Sequence, residues 1–152
     1  MPAAVSSMWI QRLARDAARL PGRERRLVLR ALIWLAAVRL ALRLASFSRL
    51  LRSLHVIPVR RLHGRRASTR DCRLALERAS RLLPASTCLA RALAGAALLR
   101  RERHPSRLDI HVALDAGRGL ASHASLTAGD LVIAGAGTEM QWSVLLSEHI
   151  DP

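Results

Sequence analysis

Lysine and tyrosine are absent from this chain, phenylalanine occurs once, and aromatic residues make up only 3% of its 152 residues. Without aromatic bulk, the core has to be assembled from Leu, Ala, Val and Ile. Hydrophobic residues amount to 51%, enough for one domain with a real core and too many for a disordered tail. Because lysine is missing, all 25 basic residues are Arg, a skew more simply explained by codon bias than by a need for guanidinium chemistry. Cysteine is scarce as well. Cys72 and Cys88 cannot build a disulfide framework, and two free thiols point to a reducing, cytoplasmic setting. No apolar run ends in a small-residue cleavage site, so no signal peptide is expected. The longest uncharged apolar run, Ala31 to Val38, is far short of the roughly 20 residues of a membrane span. Zinc-finger spacing, RNA-binding signatures and basic–aromatic alternation are also missing. The formal charge of +14 favours acidic partners or anionic surfaces. The Arg residues are nonetheless spread over helices rather than massed, and nucleic acid is not expected as a partner. Neither a metal nor a cofactor is implied.

What is present is a run of helical patterns followed by strand patterns. Met8, Trp9, Ile10, Leu13, Ala17 and Leu20 are spaced as in a helix that Pro21-Gly22 ends. Residues 23–45 form the most hydrophobic stretch. It is apolar nearly all round its middle, as in a helix that is buried or covered by a partner; contact with a membrane surface is one option. Residues 46–54 form a second short helix with Phe47, Leu50, Leu51 and Leu54 inward. Pro58 and Gly64 break residues 55–66 into a connector rich in Arg and His, where contact with an anion or peptide competes with simple solvation. Residues 69–83 form an amphipathic helix capped by Ser68 or Thr69, with Cys72 on its apolar side as a core residue.

Pro84 then precedes the stretch around which the chain is organised. Ser86 is the expected N-cap, with Thr87 first and Cys88 second in a helix that runs to Arg100-Arg101. Leu89, Ala92, Leu93, Ala96 and Leu99 give that helix an inward face. Cys88 lies near its positive end and its orphan N–H groups, which favour an anionic sulfur; the competing reading is a small buried residue.

After His104-Pro105 the period changes to two. Leu108, Ile110, Val112 and Leu114 mark one strand, Leu120 to Thr127 a second, and Leu131 to Ala134 a third beyond a turn at Ala128-Gly129-Asp130. Met140 to Leu146 forms a last edge strand. Helices followed by an antiparallel meander make an α+β fold. Residues 1–66 form a helical region with its connector and residues 67–152 the core, together one compact unit.

A nucleophilic cysteine needs a base to take its proton and return one to the leaving amine. His123, on the second strand, is one candidate base and His111, on the first, is its competitor. His55 and His63 lie in the connector, His104 in a turn and His149 near the end.

At this point a family resemblance enters. Leu82-Leu83-Pro84, Thr87-Cys88-Leu89-Ala90-Arg91-Ala92-Leu93-Ala94, Leu108-Asp109-Ile110-His111-Val112, Ser122-His123-Ala124 and Gly129 to Gly135 carry it. Across residues 23–146 the chain resembles the leader-peptidase half of lasso-peptide biosynthesis B proteins, a branch of the transglutaminase-like cysteine proteases. The resemblance implies a transglutaminase- or papain-like fold, with the Cys-bearing helix packed on a small antiparallel sheet. It makes Cys88 the nucleophile and His123 the base, and it expects an acidic third member in or just after the strand that follows. Here the sequence departs. Ala134 or Gly135 falls opposite His123, Asp130 is the nearest carboxylate in sequence, and Asp109 on the neighbouring strand is its competitor. Ser125 and Thr127 stand where the family usually has Trp and Glu. The resemblance further implies a precursor peptide as substrate, a separate leader-recognition protein and a macrolactam-forming cyclase. Two rival readings are a transglutaminase-like acyl transferase and a non-catalytic basic helical protein that binds acidic peptide or membrane surface.

Overall fold

The computed structural model describes residues 20–59, 66–83, 86–115, 119–135 and 142–152. The helical pattern read in residues 8–20 therefore falls almost wholly outside the described residues, as do His63 and Met140.

Four helices precede four strands. They are α1 (Gly22–Leu44), α2 (Phe47–Val56), α3 (Thr69–Leu82) and α4 (Cys88–Arg101), then β1 (Ser106–Asp115), β2 (Gly119–Ala128), β3 (Leu131–Ala134) and β4 (Ser143–Ile150). The sheet is antiparallel in the order β3-β2-β1-β4. The α+β architecture expected from the change of period is the one observed, and it agrees with a transglutaminase-like fold. Two boundaries differ from the sequence reading. Helix α2 runs through His55 to Val56, into the stretch read as connector. The last strand starts at Ser143 and continues to Ile150, because Val144-Leu145-Leu146 is a block of apolar residues that hides the alternation.

Helix α4 is the centre of the molecule. Ala90 and every residue from Ala92 to Leu99 are buried. A helix buried this completely is held by packing on several sides rather than by a single stripe. Each fully buried leucine, such as Leu93, Leu98 and Leu99, contributes about 1.5–3 kcal/mol, more than helix propensity could. Gly95 lets its neighbours come close. A Cβ there would stand 2.7 Å from Leu126 Cδ2 on β2 and 3.0 Å from Leu76 Cδ2 on α3.

Helix α1 packs Leu27, Val28, Ala31, Leu35 and Val38 into the same core. The expectation that its middle is apolar all round explains what remains outside: Leu29, Ile33, Leu40 and Leu44 are more than half exposed. None of the described helices is long and apolar enough to cross a membrane.

Helix α3 begins with a capping box. Ser68 Oγ accepts from the Asp71 N–H at 3.1 Å, and the Asp71 carboxylate accepts from the Ser68 N–H at 3.0 Å, so two orphan donors are satisfied reciprocally. The far end of α4 is tied down by a buried carboxylate. Glu102 accepts from Arg30 on α1 at 3.0 Å and from the Ala67 N–H at 3.2 Å.

Candidate active site

The tip of α4 is built by two adjacent hydroxyl residues. The sequence reading made Ser86 the cap, but the cap is Thr87. Its Oγ1 accepts from the Ala90 N–H at 3.1 Å. Ser86, the expected cap, instead donates its hydroxyl to the Leu83 carbonyl. Cys88 is therefore the first helical residue, one place nearer the tip than the sequence reading put it. The Thr87 carbonyl takes the Arg91 N–H. The N–H groups of Cys88 and Leu89 precede the first intrahelical acceptor, as at any helix start.

The two cysteines differ sharply. Cys72 is wholly buried, and that burial, with the nearby Glu102 and Asp71 carboxylates, pushes its thiol up to about 12. It is a core residue, as its place on the apolar side of α3 suggested. Cys88 is half-buried and free, and its thiol makes no hydrogen bond among the described residues.

The sheet sorts the histidines. His111 and His123 are directly opposed across β1 and β2, so they share a face, with ring centroids 6.4 Å apart. His111 Nε2 is bonded to Ser125 Oγ at 2.9 Å. His123 Nε2 lies 3.1 Å from the Gly135 carbonyl oxygen. A carbonyl can only accept, so Nε2 of His123 carries the proton and Nδ1 is the basic nitrogen. Trp142 covers the His123 ring at 5.5 Å. His104 donates through Nε2 to the Ala67 carbonyl, and His55 pairs with Glu148 at 2.9 Å; both serve the fold.

Neither candidate acid reaches the His123 imidazole. Asp130 is exposed in the β2–β3 turn, beyond Ala128, which is itself five residues and roughly 16 Å from His123 along β2 at ~3.3 Å per residue. Asp109 is buried on β1 opposite Ser125. Its two oxygens are held by Arg107 Nε at 3.0 Å and Ser147 Oγ at 2.6 Å. The acceptor facing His123 is a main-chain carbonyl. Gly135 turns the chain over β2 with φ of +72°, and a Cβ there would fall 2.2 Å from the Ala124 oxygen. Residue 135 can carry no carboxylate on this backbone.

Cys88 and His123 are not hydrogen-bonded to each other. Ala124 and Leu126 face the helices, while His123 alternates with them on the other side of β2. A cavity of about 270 Å³ lies between α3, α4 and the end of β3, with Arg91 and His123 among its walls; Cys88 does not line it. Arg91 is one turn into α4 from Cys88, on the same side of the helix. His111 does not line that cavity, which separates it from His123 as a candidate base. Sequence reasoning gave no role to Arg91, Trp142 or the Gly135 carbonyl. The first was legible only as the residue three places after Cys88; the last two come from the chain's return beside β2.

Among curated proteins and among solved structures, no match was found. The family model described as the Transglutaminase-like superfamily matches residues 32–147, a span holding both Cys88 and His123. Members of that superfamily commonly act as cysteine peptidases or acyl transferases. From within α1 to within β4, this chain belongs to the transglutaminase-like superfamily.

Proposed function

We propose that this chain is a cysteine peptidase that removes the leader from a lasso-peptide precursor, with Cys88 as nucleophile and His123 as base. The observation that carries the reading is the cavity beside α4, whose walls include His123 and Arg91, the residue one turn on from Cys88, and leave out His111. The resemblance around the Cys88 helix and the Ser122-His123-Ala124 strand supplies the substrate class.

In this mechanism the Cys88 sulfur attacks the carbonyl at the leader–core junction. Its proton passes to Nδ1 of His123, which returns it to the departing amine. The N–H groups of Cys88 and Leu89 stabilise the oxyanion. Water then hydrolyses the thioester and frees the enzyme. The Gly135 carbonyl orients the imidazole by accepting from Nε2. It carries no full charge, so it stabilises the imidazolium less than a carboxylate would, and turnover is correspondingly slow. Cys88 and His123 are not bonded at rest, so the Cys88 tip of α4 and the imidazole must close on each other for Nδ1 to meet the thiol while Nε2 keeps its bond to Gly135. A separate leader-recognition protein delivers the precursor, and a macrolactam-forming cyclase takes the freed core peptide.

The experiment is incubation of the purified chain with a precursor peptide and its recognition protein, followed by product masses. Wild type yields leader and core separated by hydrolysis; Cys88→Ala yields none while keeping its circular dichroism spectrum. Cleavage by Cys88→Ala removes the proposal. A product heavier by an added amine shows the acyl-transferase reading instead.

A further inference from the structure

The cavity shared by Arg91 and His123 has a chemical character of its own. At about 270 Å³ it falls just under the roughly 300–1,000 Å³ of sites for whole small molecules, a size suited to one side chain of a longer ligand. Leu76, Val132 and Ile133 supply apolar wall, and Arg73 and Arg91 bring two guanidinium groups against the single carboxylate of Glu77. That carboxylate already accepts from Arg73 Nε at 2.8 Å, and the Ser80 hydroxyl donates to the Leu76 carbonyl at 2.8 Å. Arg91 is left over. Its Nε–H is buried without an acceptor, and among the described residues the side chain has no ion pair. Protein interiors rarely leave such a donor unsatisfied, and a half-buried guanidinium without an ion pair is best matched by a carboxylate.

We propose that this cavity is a subsite for an acidic side chain, glutamate above all, in the peptide processed at Cys88; this rests on the peptidase reading. The two methylenes of glutamate lie against Leu76 and Ile133, and its carboxylate accepts from Arg91. Glutamine has the same shape without the charge, and lysine meets two guanidinium groups of its own sign.

The test uses the whole chain as the Cys88→Ala variant, which cannot turn substrate over. N-acetyl amides of glutamate, glutamine and lysine are titrated while NMR follows the His123 ring and the Arg91 Nε–H. The glutamate compound is expected to shift both signals and to bind about tenfold or more tighter than the glutamine compound, and the lysine compound to shift neither. Arg91→Gln should abolish the preference and Arg91→Lys, which keeps the charge and most of the stem, should retain part of it. Equal affinity for all three compounds, or an undiminished glutamate preference in Arg91→Gln, overturns the subsite. Cleavage of precursor variants by wild-type protein separates the two claims. Glutamate-selective binding without any cleavage upholds the subsite and removes the peptidase reading. Cleavage together with unselective binding removes the subsite alone.

Discussion

Cys72 and Cys88 have the same side chain and opposite surroundings. With its thiol pushed up to about 12 by burial, Cys72 stays protonated at pH 8, and no reagent reaches it without unfolding. Cys88 is half-buried, with part of its surface in solvent, at the tip of α4. Iodoacetamide at pH 8 is therefore expected to label Cys88 in the folded protein and to spare Cys72 until denaturant is added. Peptide mapping of the labelled protein checks this; equal labelling rates would contradict it. The pairing of His123 with the Gly135 carbonyl belongs to the same scale. It fixes the proton of the neutral ring on Nε2, and imidazole nitrogen shifts would show that tautomer directly.

At the scale of the element, caps set where chemistry can sit. The capping box of α3 was legible because Ser68 and Asp71 stand three apart before an apolar pattern. The start of α4 was less so, since Ser86 and Thr87 are both capping residues and only the path of the backbone decides between them. The Asp71 carboxyl is held below its usual 3.8, first by the Ser68 N–H and then by the Ser68 hydroxyl. A depressed folded pKa adds stability above the unfolded value, and that stability is lost as pH falls through the lowered one. Asp71→Asn should thus lower the denaturation midpoint at pH 7, and the gap from wild type should close as pH drops below 3.8. Urea titrations at both pH values measure it; a gap that persists or widens at low pH would show that the cap does not act through its charge. The sheet register was the least legible feature. A short β3 and a glycine turn decide what lies opposite His123, and no local pattern encodes either.

In the whole molecule, helices and sheet share one core through α4, and Glu102 anchors its far end. The Glu102 side chain is almost fully buried and holds both Arg30 of α1 and the Ala67 N–H. Arg30 is partly exposed and recovers water when the carboxylate is removed; the Ala67 amide is buried and does not. Glu102→Ala should therefore cost about 1–3 kcal/mol from that orphaned donor, read as a loss of unfolding free energy. Arg30→Met should cost at least as much, because it leaves the buried Glu102 carboxylate with the Ala67 N–H as its remaining partner. A clearly smaller loss in Arg30→Met would show that the amide rather than the ion pair is what matters. The apolar stripe of Leu29, Ile33, Leu40 and Leu44 is the outer half of a helix whose inner half already fills the core.

Composition and periodicity by themselves determined the order of helices and strands, the core role of Cys72 and the helix carrying Cys88. These rest on local spacing, where each residue's neighbours in sequence are its neighbours in space. The partner of His123, the burial of Asp109 between Arg107 and Ser147, and the cavity with its unpaired Arg91 were decided only by the tertiary structure. Each joins residues far apart in the chain, and their meeting depends on strand register and on a glycine that lets β3 turn back over β2.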